Sequence, residues 1–235
     1  MDAIDLSDYR SVVFFTGAGM SAESGVPVYR GRGGICQQYN YEDYACQRAF
    51  DRDPQKVLDF HEVRRSRVLE CRPHAGHHHV ARLQKNFPVH VITQNIDGMF
   101  QRAGVRVDAE LHGSLWRMRC VRHGVCDDLA QGRYASRTCE HCGATLRPDI
   151  VWFEDVVNQD PFKIAECLIS ECDLFVAVGT SAVVYPAAGL PNLARRTGAT
   201  MIEINPERTE MTALYDRHVD AAASVAIPAL FRISD

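Results

Sequence analysis

Four short apolar runs set the rhythm of the chain: "SVVFFT" at 11–16, "VHVIT" at 89–93, "LFVAVGT" at 174–180 and "TMIEIN" at 200–205. Each is rich in β-branched or aromatic residues and close to continuously apolar, the pattern of a strand buried on both faces of a parallel sheet. Helical patterns fill the intervals, among them "DPQKVLDFHEVRRSRVLE" and "DPFKIAECLISEC", and each opens with Asp-Pro in the cap and first-turn positions. Strand alternating with helix predicts an α/β fold, a doubly wound Rossmann-like parallel sheet with ligands at the carboxyl ends of its strands. Those ends read "TGAG", "TQNID", "VGTS" and "INPE", short and polar or Gly-rich, as a shared nucleotide crevice requires.

Residues 117–147 break the rhythm. They hold four cysteines in 31 residues with little apolar periodicity, which predicts a small insert held by a metal. Cys139-x-x-Cys142 followed by Gly143 has the form of a zinc knuckle, in which one tight turn presents two thiolates. The facing half is Cys120-Val-Arg-His123-Gly124, with Cys126 three residues beyond His123. Register and the following glycine favour His123 as fourth ligand, chemical uniformity favours Cys126, and both stay open.

Composition narrows the class. A chain of 235 residues, 46% hydrophobic, can bury a large core as one domain or as a domain with a small insert. Its formal net charge of −4 gives no bulk attraction to nucleic acid or an anionic membrane. The N-terminal "MDAIDLSDYR" is acidic and lacks an apolar core, and no apolar run nears the roughly 18 residues of a membrane span. A cytoplasmic protein is expected, and its nine cysteines read as thiols or metal ligands rather than a disulfide framework.

The first strand runs into Gly17-Ala18-Gly19, whose backbone can cradle a diphosphate, yet Ala22 stands where a third glycine would complete the dinucleotide fingerprint. No acidic ribose ligand follows about 20 residues on, at the end of a second strand. A hydride-transfer dehydrogenase is therefore disfavoured. Arg30 lies on a Pro- and Gly-rich loop long enough to fold over a ligand.

The segments "GAGMSAESGVPVYRG", "TQNIDGMFQRAG", "LHGS", "RPDIVWFED", "VGTSAVVYPAAGL" and "INPE" occur in the order seen in sirtuins, and the resemblance extends over about residues 11–228. That family consists of NAD-dependent protein-lysine deacylases, which cleave NAD as a co-substrate. The resemblance implies that Gly17, Ala18, Gly19, Ser21 and Ala22 surround the diphosphate and that Arg30 helps to hold the cofactor. Gln94, Asn95, Ile96 and Asp97 would line the nicotinamide and ribose pocket, with Asp97 taking the carboxamide and Asn95 placing a ribose hydroxyl or water. Gly179, Thr180, Ser181, Asn205, Pro206, Glu207 and Ala223 would bind the rest of the cofactor. His112 would be the base, because imidazole titrates near neutrality and can take a proton relayed from the ribose hydroxyls. The acyl-lysine carbonyl oxygen attacks the anomeric carbon in the implied reaction, nicotinamide departs, and lysine and O-acyl-ADP-ribose are released. By comparison, the histidine run 77–79 reads as helix surface.

The resemblance also divides the chain. Residues 1–35, 75–116 and 148–235 would form the NAD-binding part, 36–74 a cofactor-loop and helical insert, and 117–147 the structural zinc insert. Val151, Trp152 and Phe153 would present an extended edge to the acyl-lysine peptide, although Glu154 stands where the family usually has glycine. The branch that accepts succinyl and malonyl groups carries an Ala and a Tyr-x-x-Arg pair. Ala45 and Arg64 match these, with His61 in place of the tyrosine, so His61 and Arg64 are expected to share a helical face and reach the acyl pocket. ADP-ribosyl transfer or plain NAD hydrolysis would use the same cofactor residues, and a non-enzymatic NAD sensor is the remaining alternative.

Overall fold

The computed structural model describes residues 2–27, 40–129, 132–181 and 183–233. The strands among these residues are β1 (Val12–Thr16), β2 (Val89–Thr93), β3 (Ala109–Glu110), β4 (Gly113–Cys120), β5 (Gly124–Asp127), β6 (Arg147–Ile150), β7 (Leu174–Val178), β8 (Thr200–Ile204) and β9 (Arg217–Val219). The main sheet has the order β3-β2-β1-β7-β8-β9 with every pair parallel. The order reverses at β1, so a crevice opens at the carboxyl ends of β1, β2 and β7, where ligands bind in doubly wound sheets.

Why the four apolar runs are continuous is clear from β1. Val12 and Phe14 enter one core and Val13 and Phe15 the other, so no position along the strand meets water. The first core lies under the helices at Ala75–Asn86 and Ala223–Leu230, where Phe231 packs edge-on against Phe14 with ring centroids 5.4 Å apart. The second lies under Gln159–Glu171 and Leu190–Thr197.

In chain order, the helices among the described residues are α1 (Gly19–Ala22), α2 (Tyr41–Tyr44), α3 (Gln47–Arg52), α4 (Pro54–Glu70), α5 (Ala75–Asn86), α6 (Met99–Arg102), α7 (Gln159–Glu171), α8 (Leu190–Thr197) and α9 (Ala223–Leu230). Asp53 caps α4 by accepting the Lys56 N–H at 3.0 Å, with Pro54 in the first turn, as the Asp-Pro signal indicates. The same signal is displaced in α7. There Asn158 is the cap, accepting from the Asp160 N–H at 3.1 Å, and Asp160 sits inside the first turn. A third core joins α3 and α4 to a small antiparallel sheet of order β5-β4-β6. No helix among the described residues is long and apolar enough to cross a membrane.

The histidine run is not helix surface. On α5 His77 and His79 are buried and His78 alone is exposed. His77 accepts the His74 backbone N–H in the helix cap and lies edge-on to Phe100. Burial, reinforced by the nearby His74 and His78, drives its pKa from 6.5 down to about 3. The unfolded chain therefore binds a proton below pH 6.5 that the folded chain refuses until about pH 3, so stability falls on acidification through that window. In urea unfolding at pH 7 and pH 4.5, the wild type should lose on the order of 2 kcal/mol more than His77→Asn, whose amide oxygen keeps the cap acceptor. Equal losses in the two proteins would refute this assignment.

Candidate active site

The loops at the ends of β1 and β7 touch backbone to backbone. A Cβ on Gly19 would stand 2.7 Å from the Gly179 Cα, and one on Gly17 would stand 2.8 Å from the Gly179 carbonyl oxygen. Gly179 itself has φ +58 and would collide with the Met20 nitrogen. Hydrogen bonds from the Gly17 N–H to the Val178 carbonyl and from the Gly19 N–H to the Gly179 carbonyl hold the two loops together. The glycines thus serve close approach, while Ala22, in the third glycine position, ends the single turn of α1 with its side chain exposed.

This contact floors a cavity of ≈ 1070 Å³. Gly17, Ala18, Gly19 and Ala22 line it from the first loop, Gln94, Asn95, Ile96 and Asp97 from the end of β2, and His112 from the turn between β3 and β4. Gly179, Thr180, Ser181, Asn205, Pro206, Glu207 and Ala223 complete the same wall. Ser21 is buried behind it, where its hydroxyl meets the Asn95 amide at 3.3 Å. Arg30 lies outside the described residues.

Around the cavity the polar groups are fixed in direction. The Asn95 amide N–H donates to the Gly17 carbonyl at 3.0 Å, which leaves its side-chain oxygen for the cavity. Asp97 accepts the Met99 N–H at 2.8 Å, and burial, opposed by that bond and by Ser21 and Arg102, raises its pKa. His112 Nδ1 lies 3.0 Å from the Gln94 carbonyl, an acceptor, so Nδ1 carries the proton and Nε2 keeps its lone pair for the cavity. Burial lowers the His112 pKa against the opposing effect of that hydrogen bond, which keeps the ring neutral near pH 7.

The acyl side departs from expectation. Ala45 and Arg64 line the cavity, with Phe60, Val63, Arg67 and Val68 beside them on α4. His61 does not. It is fully buried under Trp152, whose indole N–H donates to His61 Nε2 at 3.2 Å. An indole donates only, so His61 Nε2 is an acceptor and the ring is neutral. Burial first, then the charges of Arg64 and Arg147, holds its pKa well below 6.5. His61 therefore cannot replace a phenol at the acyl group. The signal that would have separated the two roles is the spacing 57, 58, 61, 65, 68, a buried stripe beside the stripe 60, 63, 64, 67 on the cavity.

Val151, Trp152 and Phe153 also line the cavity, and the Phe153 N–H is bonded to the Ala45 carbonyl at 3.0 Å. Glu154 has φ +71, the left-handed region where glycine is at ease, and is clasped by Arg48 through contacts of 2.7 and 3.0 Å.

Four ligand atoms gather in the cysteine-rich insert: the sulfurs of Cys120, Cys139 and Cys142 and a ring nitrogen of His123, all within 4.8 Å of one another. Cys120 Sγ stands 3.7 Å from Cys142 Sγ and 3.6 Å from His123 Nδ1, and Cys139 Sγ stands 3.5 Å from the same nitrogen. Tetrahedral zinc, with bonds of about 2.3 Å to sulfur and about 2.0 Å to nitrogen, needs edges of roughly 3.8 and 3.5 Å. The donor set fits. Cys126 is exposed on β5 and its thiol faces the Met118 carbonyl, so the fourth position falls to His123.

A Sir2 family model matches residues 17–186, and the chain belongs to that family. Relatives include "NAD-dependent protein deacylase 2" of Pyrobaculum aerophilum, 43% identical over 96% of this chain and 91% of the relative. The "NAD-dependent protein deacylase" of Aquifex aeolicus is 39% identical over 94% of each chain. Among solved structures, a Sir2 homologue mutant bound to ADP ribose superposes with a TM-score of 0.90 at 34% identity, covering 95% of this chain and 91% of that one. A Sir2 homolog–NAD complex superposes with a TM-score of 0.87 at 34% identity, covering 95% and 89%.

With four protein ligands a bound zinc has no open position for chemistry. Protein purified without chelator should carry one zinc per chain by elemental analysis. Cys139→Ser should lose it and unfold the insert, whereas Cys126→Ser should retain it; loss of metal in the Cys126 variant would overturn the ligand set.

Proposed function

We propose that the protein is an NAD-dependent protein-lysine deacylase that releases nicotinamide and O-acyl-ADP-ribose. The observation that carries this reading is the single orientation of His112: a neutral ring with Nδ1 tied to the Gln94 carbonyl and Nε2 turned toward the cavity shared with Asn95 and Asp97. NAD, consumed as co-substrate, supplies the electrophilic ribose carbon from which nicotinamide leaves. The glycine contact of the first and β7 loops lets backbone come close to a diphosphate. Asn95 orients a hydroxyl or water through its free side-chain oxygen, and Asp97 holds the nicotinamide carboxamide. His112 Nε2 takes the proton from the ribose hydroxyls, which lets a hydroxyl attack the former acyl carbon. Zinc is structural, and a reducing compartment such as the cytoplasm would keep its three cysteine ligands as thiols.

The acyl group is the finer question. Arg64 brings a guanidinium to a cavity wall that Ala45, Phe60, Val63 and Arg67 also line, and a guanidinium can bind a carboxylate through two parallel hydrogen bonds. We take succinyl- and malonyl-lysine as preferred over acetyl-lysine, with Arg64 acting without help from His61.

His112→Ala should cost about 10²- to 10⁴-fold in deacylation with NAD binding largely kept. Because the base must be unprotonated and its pKa is lowered, the acid limb of kcat/KM should have its midpoint below pH 6.5. Mass spectrometry that finds free ADP-ribose without acyl transfer would replace the deacylase reading by NAD hydrolysis. Arg64→Met should raise KM for succinyl peptides while leaving acetyl peptides near wild type. Equal depression of both would remove the acidic-acyl assignment.

A further inference from the structure

The turn that carries Asp97 is shaped from behind by a residue outside the cavity wall. The Trp116 indole N–H donates to the Asp97 backbone carbonyl at 2.8 Å. The same ring covers the next residue so closely that a Cβ on Gly98 would stand 2.6 Å from Nε1 and 2.8 Å from Cδ1. Gly98 has φ +72, so the ring and the left-handed backbone both require glycine there. One residue earlier, the Leu115 N–H donates to the Ile96 carbonyl at 2.9 Å. Two consecutive residues of β4 thus fix two consecutive carbonyls of the turn, and the Asp97 carboxylate is locked forward by its bond to the Met99 N–H.

The indole has little freedom of its own. The Arg65 guanidinium lies 5.0 Å from its ring centroid and pairs with Asp128 at 3.0 Å, and the Asp128 N–H returns to the Trp116 carbonyl at 2.7 Å. This arrangement gives the indole a task that packing alone does not need. A half-buried tryptophan would be satisfied by any acceptor or by water, yet its donor is spent on the carbonyl of Asp97, a residue of the cavity wall.

We propose that Trp116 is a positioning residue: its indole N–H and ring hold the Asp97–Gly98 turn in the shape in which Asp97 grips the nicotinamide carboxamide. This rests on the deacylase reading, since it presumes that Asp97 faces nicotinamide. Trp116 touches neither substrate nor cofactor, and its effect is confined to the part of NAD that ADP-ribose lacks.

That confinement supplies the test. In the full-length, zinc-loaded protein, Trp116→Phe keeps an aromatic ring and removes the donor, leaving the buried Asp97 carbonyl without its partner. Loss of one such bond corresponds to roughly three- to tenfold. The inhibition constant for nicotinamide and the KM for NAD should rise by that factor, while the Kd for ADP-ribose by calorimetry and the KM for acyl peptide stay within twofold. Trp116→His is the conservative counterpart, because imidazole Nε2 takes the ring position of indole Nε1. It should restore nicotinamide inhibition to within about threefold of wild type, and it supplies the comparison should the phenylalanine variant not fold. Equal weakening of nicotinamide and ADP-ribose would show a merely structural role and overturn the proposal. So would nicotinamide inhibition unchanged in Trp116→Phe, or lost tenfold in Trp116→His with ADP-ribose binding intact. A wild-type protein that releases no nicotinamide from NAD would overturn the deacylase reading itself and this proposal with it.

Discussion

A guanidinium with 0% of its surface exposed constrains everything around it. Burying an unpaired charge costs several kcal/mol, so Arg65 can sit inside the protein only where carboxylate, carbonyls and aromatic faces meet it together. They do. Asp128 pairs with it, the Leu115 and Asp128 carbonyls accept from it at 3.1 and 2.9 Å, and Trp116 and Tyr134 lie against it. Arg65 belongs to α4, whereas these partners belong to β4 or to the cysteine-rich insert that follows it. Helix, small sheet and insert consequently have one relative arrangement. The Asp128 carboxylate also accepts the Ala135 N–H at 2.9 Å, tying the ion pair to the segment that leads to Cys139. The ligand cluster of Cys120, His123, Cys139 and Cys142 and the buried pair stand at two separate points of the insert.

The main sheet imposes a second constraint of a different kind. Gly17, Gly19 and Gly179 allow the ends of β1 and β7 to close on one another at distances that no side chain permits. Loop closure brings the Gln94 amide within 3.0 Å of the Thr180 hydroxyl and the Asn95 amide within 3.0 Å of the Gly17 carbonyl. The site is therefore assembled by backbone contact between neighbouring strands. The small sheet then meets the site through β4, by the bonds of Leu115 and Trp116 to the turn that begins at Ile96.

What could be read in the sequence followed from periodicity and short-range chemistry. The four buried strands are continuous apolar runs because both faces of β1 are covered, and the knuckle at Cys139 and Cys142 is a local turn. The choice of His123 over Cys126 was not local, since it depends on which strand of a hairpin faces the second knuckle. The burial of His77 and His79 was obscured because a buried imidazole and an exposed one look alike in a polar run. His61 was misread for the same reason in "DFHEVRRSR": the buried stripe of α4 contains this histidine and Arg65, and the Trp152 indole and the Asp128 carboxylate that meet them lie more than 60 residues away. Trp116 gave no signal beyond its own hydrophobicity, because the Gly98 turn that it covers is 18 residues earlier.

The three faces of α4 explain how the charge of the acyl side arises. Its Asp59 and Glu62 turn toward the insert, where Arg137 holds them at 2.6 Å and 2.9 Å. Its buried stripe contains His61, kept neutral by desolvation and by the fields of Arg64 and Arg147, and Arg65, whose charge is spent on Asp128. Its cavity face carries Phe60, Val63, Arg64, Arg67 and Val68, a set with two cations and no acid. Asp59 and Glu62 thus meet Arg137, whereas Arg64 and Arg67 line the cavity. The acidic-acyl proposal rests on this face, where Arg64 and Arg67 stand beside Phe60 and Val63.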